Sequence, residues 1–339
     1  MEQDTPIARP PSRGQRISDV SFRWVGRIFA ALVLALVALV VLDIAYRAIP
    51  AVRQHGLGFL TGRVWDPNKA HFAILPEIWG TLYTSALALF LGTAFGLAAA
   101  VFLAEGFLGQ AVYHQLRALG LERRQGFARL PDLVEETLKN LIHLLAAIPS
   151  VVYGLWGLFV VIPVIRPACN WLHLKMGWFP LFGTDLAGPG VLPAVIVLSI
   201  MILPTITAIA TDALLAVPSK LRMAAYGLGA TRWETIIGVI LPTAARGIFG
   251  GVVLAFGRAL GETMALAMLV GNANQINVSL FSPANTLAAL LANSFPEAGP
   301  KQVPVLMYAA LVLLAMTLAV NILGALLLQR ASAATKGAR

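Results

Sequence analysis

Ile78-Trp-Gly-Thr-Leu-Tyr-Thr-Ser-Ala-Leu-Ala-Leu-Phe-Leu-Gly-Thr-Ala-Phe-Gly-Leu-Ala-Ala-Ala-Val-Phe-Leu-Ala104 contains no charged side chain. It exceeds the ~20 predominantly apolar residues that a helix needs to cross a bilayer. Comparable runs lie at Ile28–Leu42, between Arg27 and Asp43, and at Asn140–Ile165, Leu186–Thr211 and Gln302–Gln329. Another begins after Arg246 and is interrupted by Arg258 and Glu262. Only helices or closed barrels satisfy backbone polar groups in lipid, and the alternating ten-residue segments of a barrel are absent. The sequence therefore predicts an all-α integral membrane protein of about six transmembrane helices. Composition agrees: of 339 residues 58% are hydrophobic and only 12% charged, about half the charged share of a soluble domain.

The basic residues set the expected orientation. Arg9, Arg13, Arg16, Arg23 and Arg27 precede the first run, Arg117, Arg123, Arg124 and Arg129 follow the second, and Lys220, Arg222, Arg232 and Arg246 follow the fourth. Arg330, Lys336 and Arg339 close the chain. The opposite side receives only Arg47, Arg53, Arg63, Lys69, Arg166, Lys175 and Lys301. Both termini are expected in the cytoplasm of a bacterium, with a tail over 1–25, a first transmembrane helix over 26–48 and a periplasmic segment over 49–77. A permease domain over 78–329 and a tail over 330–339 complete the division. The first run lacks a small-x-small cleavage site and is expected to remain as an anchor. Along the second run Ala88, Gly92, Gly96, Ala100 and Ala104 form a stripe of small residues, suited to close helix packing within the chain or against a partner.

The connection between the fourth and fifth runs, residues 219–242, carries the most local information. Ser219 is expected to cap a short helix through Leu228, and Gly229 to supply a turn. Thr231 and Glu234 have capping-box spacing. Pro242 then restricts the chain ahead of the fifth helix. The expectation is two short amphipathic helices hinged at glycine on the inner membrane surface.

The spacing Ala224-Ala225, Gly229, Val239, Leu241-Pro242 closely resembles the EAA loop of ABC-importer permeases, whose short helix docks into a groove on the ATPase. Met223 stands where that family has glutamate, and Val239 where isoleucine is usual. The resemblance implies a type I importer permease fold and an ATPase-coupling role for Ala224, Ala225, Gly229, Thr231, Arg232, Glu234, Leu241 and Pro242. The chain lacks the G-x-x-x-x-G-K-[ST] phosphate loop, so hydrolysis by that route falls to a separate subunit. Further stretches are similar to the PstC-type permeases of phosphate-specific importers: Phe59–Pro67, Leu144–Gly157, Met201–Thr205, Gly257–Met264 and Phe281–Thr286. His143 departs from that pattern, and the basic segment 114–129 is longer than it. The resemblance implies phosphate import, with a second permease, two ATPase subunits and a phosphate-binding protein as partners. It implies no cofactor.

Arg258 and Glu262 are expected to lie one helical turn apart on one face within the membrane. A charge there costs about 2.5–3.5 kcal/mol on insertion scales and so meets either a partner or an aqueous path. One reading is a self-neutralising pair; the other is a translocation pathway in which the Arg258 fork greets a passing phosphate. Ser282-Pro283 reads as the cap of a short helix through Ser294, and Pro149 as a kink in the third span. An ion-coupled carrier would place titratable residues along several helices, and a membrane enzyme would need a converging catalytic set; neither pattern is present. No His, Cys, Asp or Glu cluster has metal-ligand spacing. The sibling permease of such a complex, or a permease for another oxyanion, remains an alternative on sequence.

Overall fold

The computed structural model describes residues 13–118 and 130–336. Its regular elements are helices: α1 (Arg13–His55), α2 (Leu75–Ala104), α3 (Phe107–Ala118), α4 (Leu130–Ala147), α5 (Ser150–Met176), α6 (Val191–Leu215), α7 (Ser219–Gly227), α8 (Arg232–Leu260), α9 (Met264–Leu269), α10 (Leu287–Ser294) and α11 (Val303–Lys336). Among the described residues six helices are long and apolar enough to cross a membrane: most of α1, then α2, α5, α6, α8 and most of α11. Pairing outside helices is limited there to isolated bridges at Asp66–His71 and Gly271–Ala284. The basic segment 119–129 and the side chain of His143 lie outside the described residues.

The centre of the bundle is the contact of α2 with α6. Ala88 and Ala100 are fully buried. A methyl placed on Gly92 would come within 2.8 Å of Ile202 Cγ1, and one on Gly96 within 3.0 Å of Ile206 Cγ2. The small-residue stripe is thus spent within the chain: it lets α6 approach the α2 backbone closely enough for Thr207 Oγ1 to donate to the Gly96 carbonyl at 3.2 Å. α1 stands apart, packing mainly on α11 and turning Leu32, Leu34, Leu36 and Leu39 outward. Between α1 and α2 the chain folds over the N-terminal end of α11, where Phe59 stacks on Tyr308 with centroids 4.4 Å apart.

Three expectations are corrected. The third uncharged run is not one kinked span: Pro149 ends α4, and the span is Ser150–Met176. Proline has no N–H to give and disfavours helical geometry in the residue before it, so the ladder stops and restarts. Residues 140–147 belong to α4, and Arg166 and Lys175 ride on the C-terminal half of α5. The fifth span starts at Arg232 rather than after Arg246, and the second short loop helix is its first turn. Pro242 is accommodated by a π-turn over Ile236–Ile240, which frees the ladder around the missing N–H. Finally, the cap of the helix ending at Ser294 is Thr286, whose side chain accepts from Ala289 N at 3.2 Å; Ser282 lies before it. The Leu287 amide donates to Thr81 Oγ1 at 2.9 Å, so this helix start is committed to α2 and not offered to an anion.

Candidate functional site

The connecting loop is built by two local motifs. Ser219 is the first residue of α7 rather than its cap, which is Pro218. At the other end Gly229 has φ +84°, a conformation that suits glycine, while Gly229 N donates to Tyr226 O at 3.0 Å and Ala230 N to Ala225 O at 3.1 Å. These two bonds form a Schellman motif. The capping box is present in both halves: Thr231 Oγ1 accepts from Glu234 N at 3.3 Å, and Glu234 Oε2 accepts from Thr231 N at 2.7 Å. Ala225 is buried against the bundle, whereas Ala224 and Gly229 are exposed. Met223 is 68% exposed and Leu228 89%, with Trp233 at 62% beside them. The loop therefore presents apolar side chains outward among Lys220, Thr231 and Glu234, which is what a helix seated in a groove on another protein requires. Pro242 is exposed and Leu241 half-buried against the bundle.

Arg232 does not join that outward surface. Its guanidinium carbon lies 4.0 Å from the centre of the Phe107 ring, and its Nη2 donates to the Glu105 backbone carbonyl. The Glu105 carboxylate, just past the end of α2, also receives Arg222 from α7, with Nη1 2.5 Å from Oε1. Glu105 went unnoticed in the sequence because its partners are more than a hundred residues away.

The second candidate region is the end of α8. The helix stops at Leu260, and Gly261–Thr263 form a non-helical break before α9. Glycine is a poor helix former, and Thr263 Oγ1 donates to the freed Gly261 carbonyl at 3.0 Å. Glu262 thus lies beyond the helix that carries Arg258, so the expected common helical face does not exist. Arg258 is exposed on the chain's surface, Glu262 is half-buried, and among the described residues no ion pair joins them. Just past the break, α9 packs on the start of α5: a methyl at Gly154 would touch Met268 Sδ at 2.7 Å and Ala265 Cα at 3.3 Å. From there α9 leads toward the beginning of α6, where Gly190 N donates to Leu269 O at 2.8 Å.

Beyond α9 the chain returns in extended form and fastens to α2. A methyl at Gly80 would come within 1.9 Å of the Asn285 carbonyl oxygen, so only glycine permits this crossing. One turn earlier Glu77 is fully buried; Asn274, in the orientation that satisfies its amide, donates to Oε1 at 3.0 Å and accepts from Trp65 N at 2.7 Å. An acid in the first turn of a helix is an ordinary dipole partner, and nothing in the sequence marks this one as buried.

Residues 118–333 match the family model described as binding-protein-dependent transport system inner membrane component. The chain belongs to this family of transport permeases. Relatives of this permease include the protein named phosphate transport system permease protein PstC from Mesorhizobium japonicum, 39% identical over 83% of this chain and 81% of the relative. The protein of the same name from Haemophilus influenzae is 35% identical over 91% of this chain and 92% of its own length. Among solved structures, an inward-facing form of the MetNI methionine ABC transporter superposes with a TM-score of 0.51 at 18% identity, over 76% of this chain and 95% of that one. That likeness speaks to the permease fold alone. The multi-pass, all-helical, ABC-importer architecture expected from the sequence is therefore established.

Proposed function

We propose that this chain is the transmembrane permease subunit of an ATP-driven importer that carries inorganic phosphate across the bacterial cytoplasmic membrane. The observation that carries the reading is the near full-length similarity to permeases named for phosphate transport. In this reading the chain pairs with a second, related permease, two ATPase subunits dock beneath the pair, and an extracytoplasmic phosphate-binding protein delivers the anion. The exposed apolar face of α7 suits the ATPase contact. The broken end of α8, with Arg258 exposed beside it, suits the anion path, since interrupted helices commonly line the sites of transporters.

The deciding experiment is uptake of radiolabelled phosphate, sulfate and molybdate by the complex reconstituted with its ATPase, sibling permease and receptor. ATP-dependent entry of phosphate, with the other two anions at background, is the expected result. Preferential entry of sulfate or molybdate would overturn the substrate.

The distribution of basic residues supports a cytoplasmic position for both termini. A label at Lys301 is accordingly expected to react from outside intact cells, and a tag at Arg339 only after permeabilisation. Reaction of both from one side would mean an even number of crossings between them, and would overturn the single span expected there.

A further inference from the structure

We propose that Glu105 is a positioning residue for energy coupling: its carboxylate ties both arms of the 219–242 loop to the inner end of α2. A displacement imposed on α7 by the ATPase is thereby passed to that membrane helix. The inference rests on the coupling role proposed for the loop, and it assigns the transmission to one side chain.

The geometry is that of a clamp with two jaws. Arg222, from α7, places Nη1 2.5 Å from Glu105 Oε1, and its Nη2 donates to the Leu214 carbonyl in the last turn of α6 at 3.0 Å. One guanidinium thus bridges the ends of two membrane helices, which its planar fork permits and a lysine ammonium does not. Arg232, the first residue of α8, approaches from the other side with Nε 3.8 Å from Oε2, packed on Phe107 and bonded to the Glu105 carbonyl. The Glu105 side chain is only 6% exposed, against 20% for Arg222 and 30% for Arg232.

A carboxylate is poorly placed here for α2 alone. It sits at the negative end of the helix dipole, where cations are favoured, and its burial is unfavourable unless it is paired. Both penalties are offset by the two arginines, and both arginines belong to the loop. Meanwhile α7 makes few other attachments: Leu221, Met223, Ala224 and Tyr226 are exposed, and Ala225 alone among its residues is buried. The short helix turns most of its side chains outward, while Arg222 ties it to the ends of α2 and α6.

The test uses the reconstituted complex and reads anion imported per ATP hydrolysed, with the amount of assembled complex measured separately. In Glu105→Gln the ratio is expected to fall about fivefold or more, the lower end of measured couplings between sites. Arg222→Gln should do the same, and the double variant should be no worse than either alone, because all three break one clamp. Glu105→Asp, which keeps the charge, should recover part of the ratio. A purely structural role would lower assembly, and uptake and hydrolysis together, leaving the ratio at the wild-type value. That value in assembled Glu105→Gln, or in Arg222→Gln should the first not assemble, overturns the clamp. If neither assembles, a wild-type ratio in Arg222→Lys, which keeps the charge but not the fork that spans the two helix ends, overturns it as well. Should the wild-type complex prove to move another oxyanion, the same ratio is taken with that anion, so the clamp and the substrate fail separately.

Discussion

Arg258→Gln is expected to lower phosphate uptake by about tenfold to a hundredfold per assembled complex, the loss equivalent to a charge-assisted hydrogen bond of about 1.5–3 kcal/mol. The change should leave assembly intact. Arg258 ends an exposed face of α8 and has no ion pair with Glu262, so removing its charge strands no buried countercharge. For the same reason Glu262→Gln should not rescue it: the double variant is expected to transport no better than Arg258→Gln alone. Arg258→Lys keeps the charge but loses the fork that matches phosphate oxygens, and intermediate uptake follows. The measurement is initial uptake rate divided by the quantity of complex recovered from the membrane. Near-normal uptake by the double variant would remove Arg258 from the anion path and leave it a surface charge at the end of a broken helix.

Gly229→Ile is the second variant with a large expected effect. At φ +84° a β-branched residue carries a backbone cost of about 1–3 kcal/mol, enough to favour rearrangement of the turn that closes α7. The space around the position is open, so steric crowding adds nothing and the effect is purely conformational. Uptake should fall at least about tenfold, as expected when about 1.4 kcal/mol or more is lost from the docking-competent form. Membrane insertion should be normal, because the change lies in the loop between spans. Gly229→Asn provides the control. Asparagine tolerates the left-handed region, so its uptake should stay close to wild type. Full uptake by Gly229→Ile would count against a docking role for α7.

Much of this architecture is legible in the sequence because lipid imposes a single strong rule on span length and charge. The run Ile78–Ala104 differs from the observed α2 by three residues at one end only. Local motifs are equally readable, since the Thr231–Glu234 box and the Gly229 turn depend on neighbours a few residues away. Boundaries set by absence of charge fare worse. The uncharged stretch beginning at Asn140 includes the end of a different helix, and only the backbone consequences of Pro149 separate the two. The Arg258–Glu262 spacing is helical on paper, yet Gly261 ends the helix between them. Glu77 and Glu105 are invisible for another reason: their roles come from Asn274, Arg222 and Arg232, which the fold brings in from distant parts of the chain.

Those two carboxylates stand near the opposite ends of one helix. At 1.5 Å per residue, the 30 residues of α2 make a beam of about 45 Å. Its N-terminal end is pinned to the returning segment through Glu77 and the Gly80–Asn285 crossing, and its C-terminal end to the loop through Glu105. An α-helix tilts and rotates far more readily than it stretches, so the two pinned regions keep a nearly constant separation whatever the rest of the bundle does. Close to midspan the beam rests on Ile202 and Ile206 at Gly92 and Gly96, with no side chain between. Any rocking of so rigid a beam about that contact would move its two ends in opposite directions.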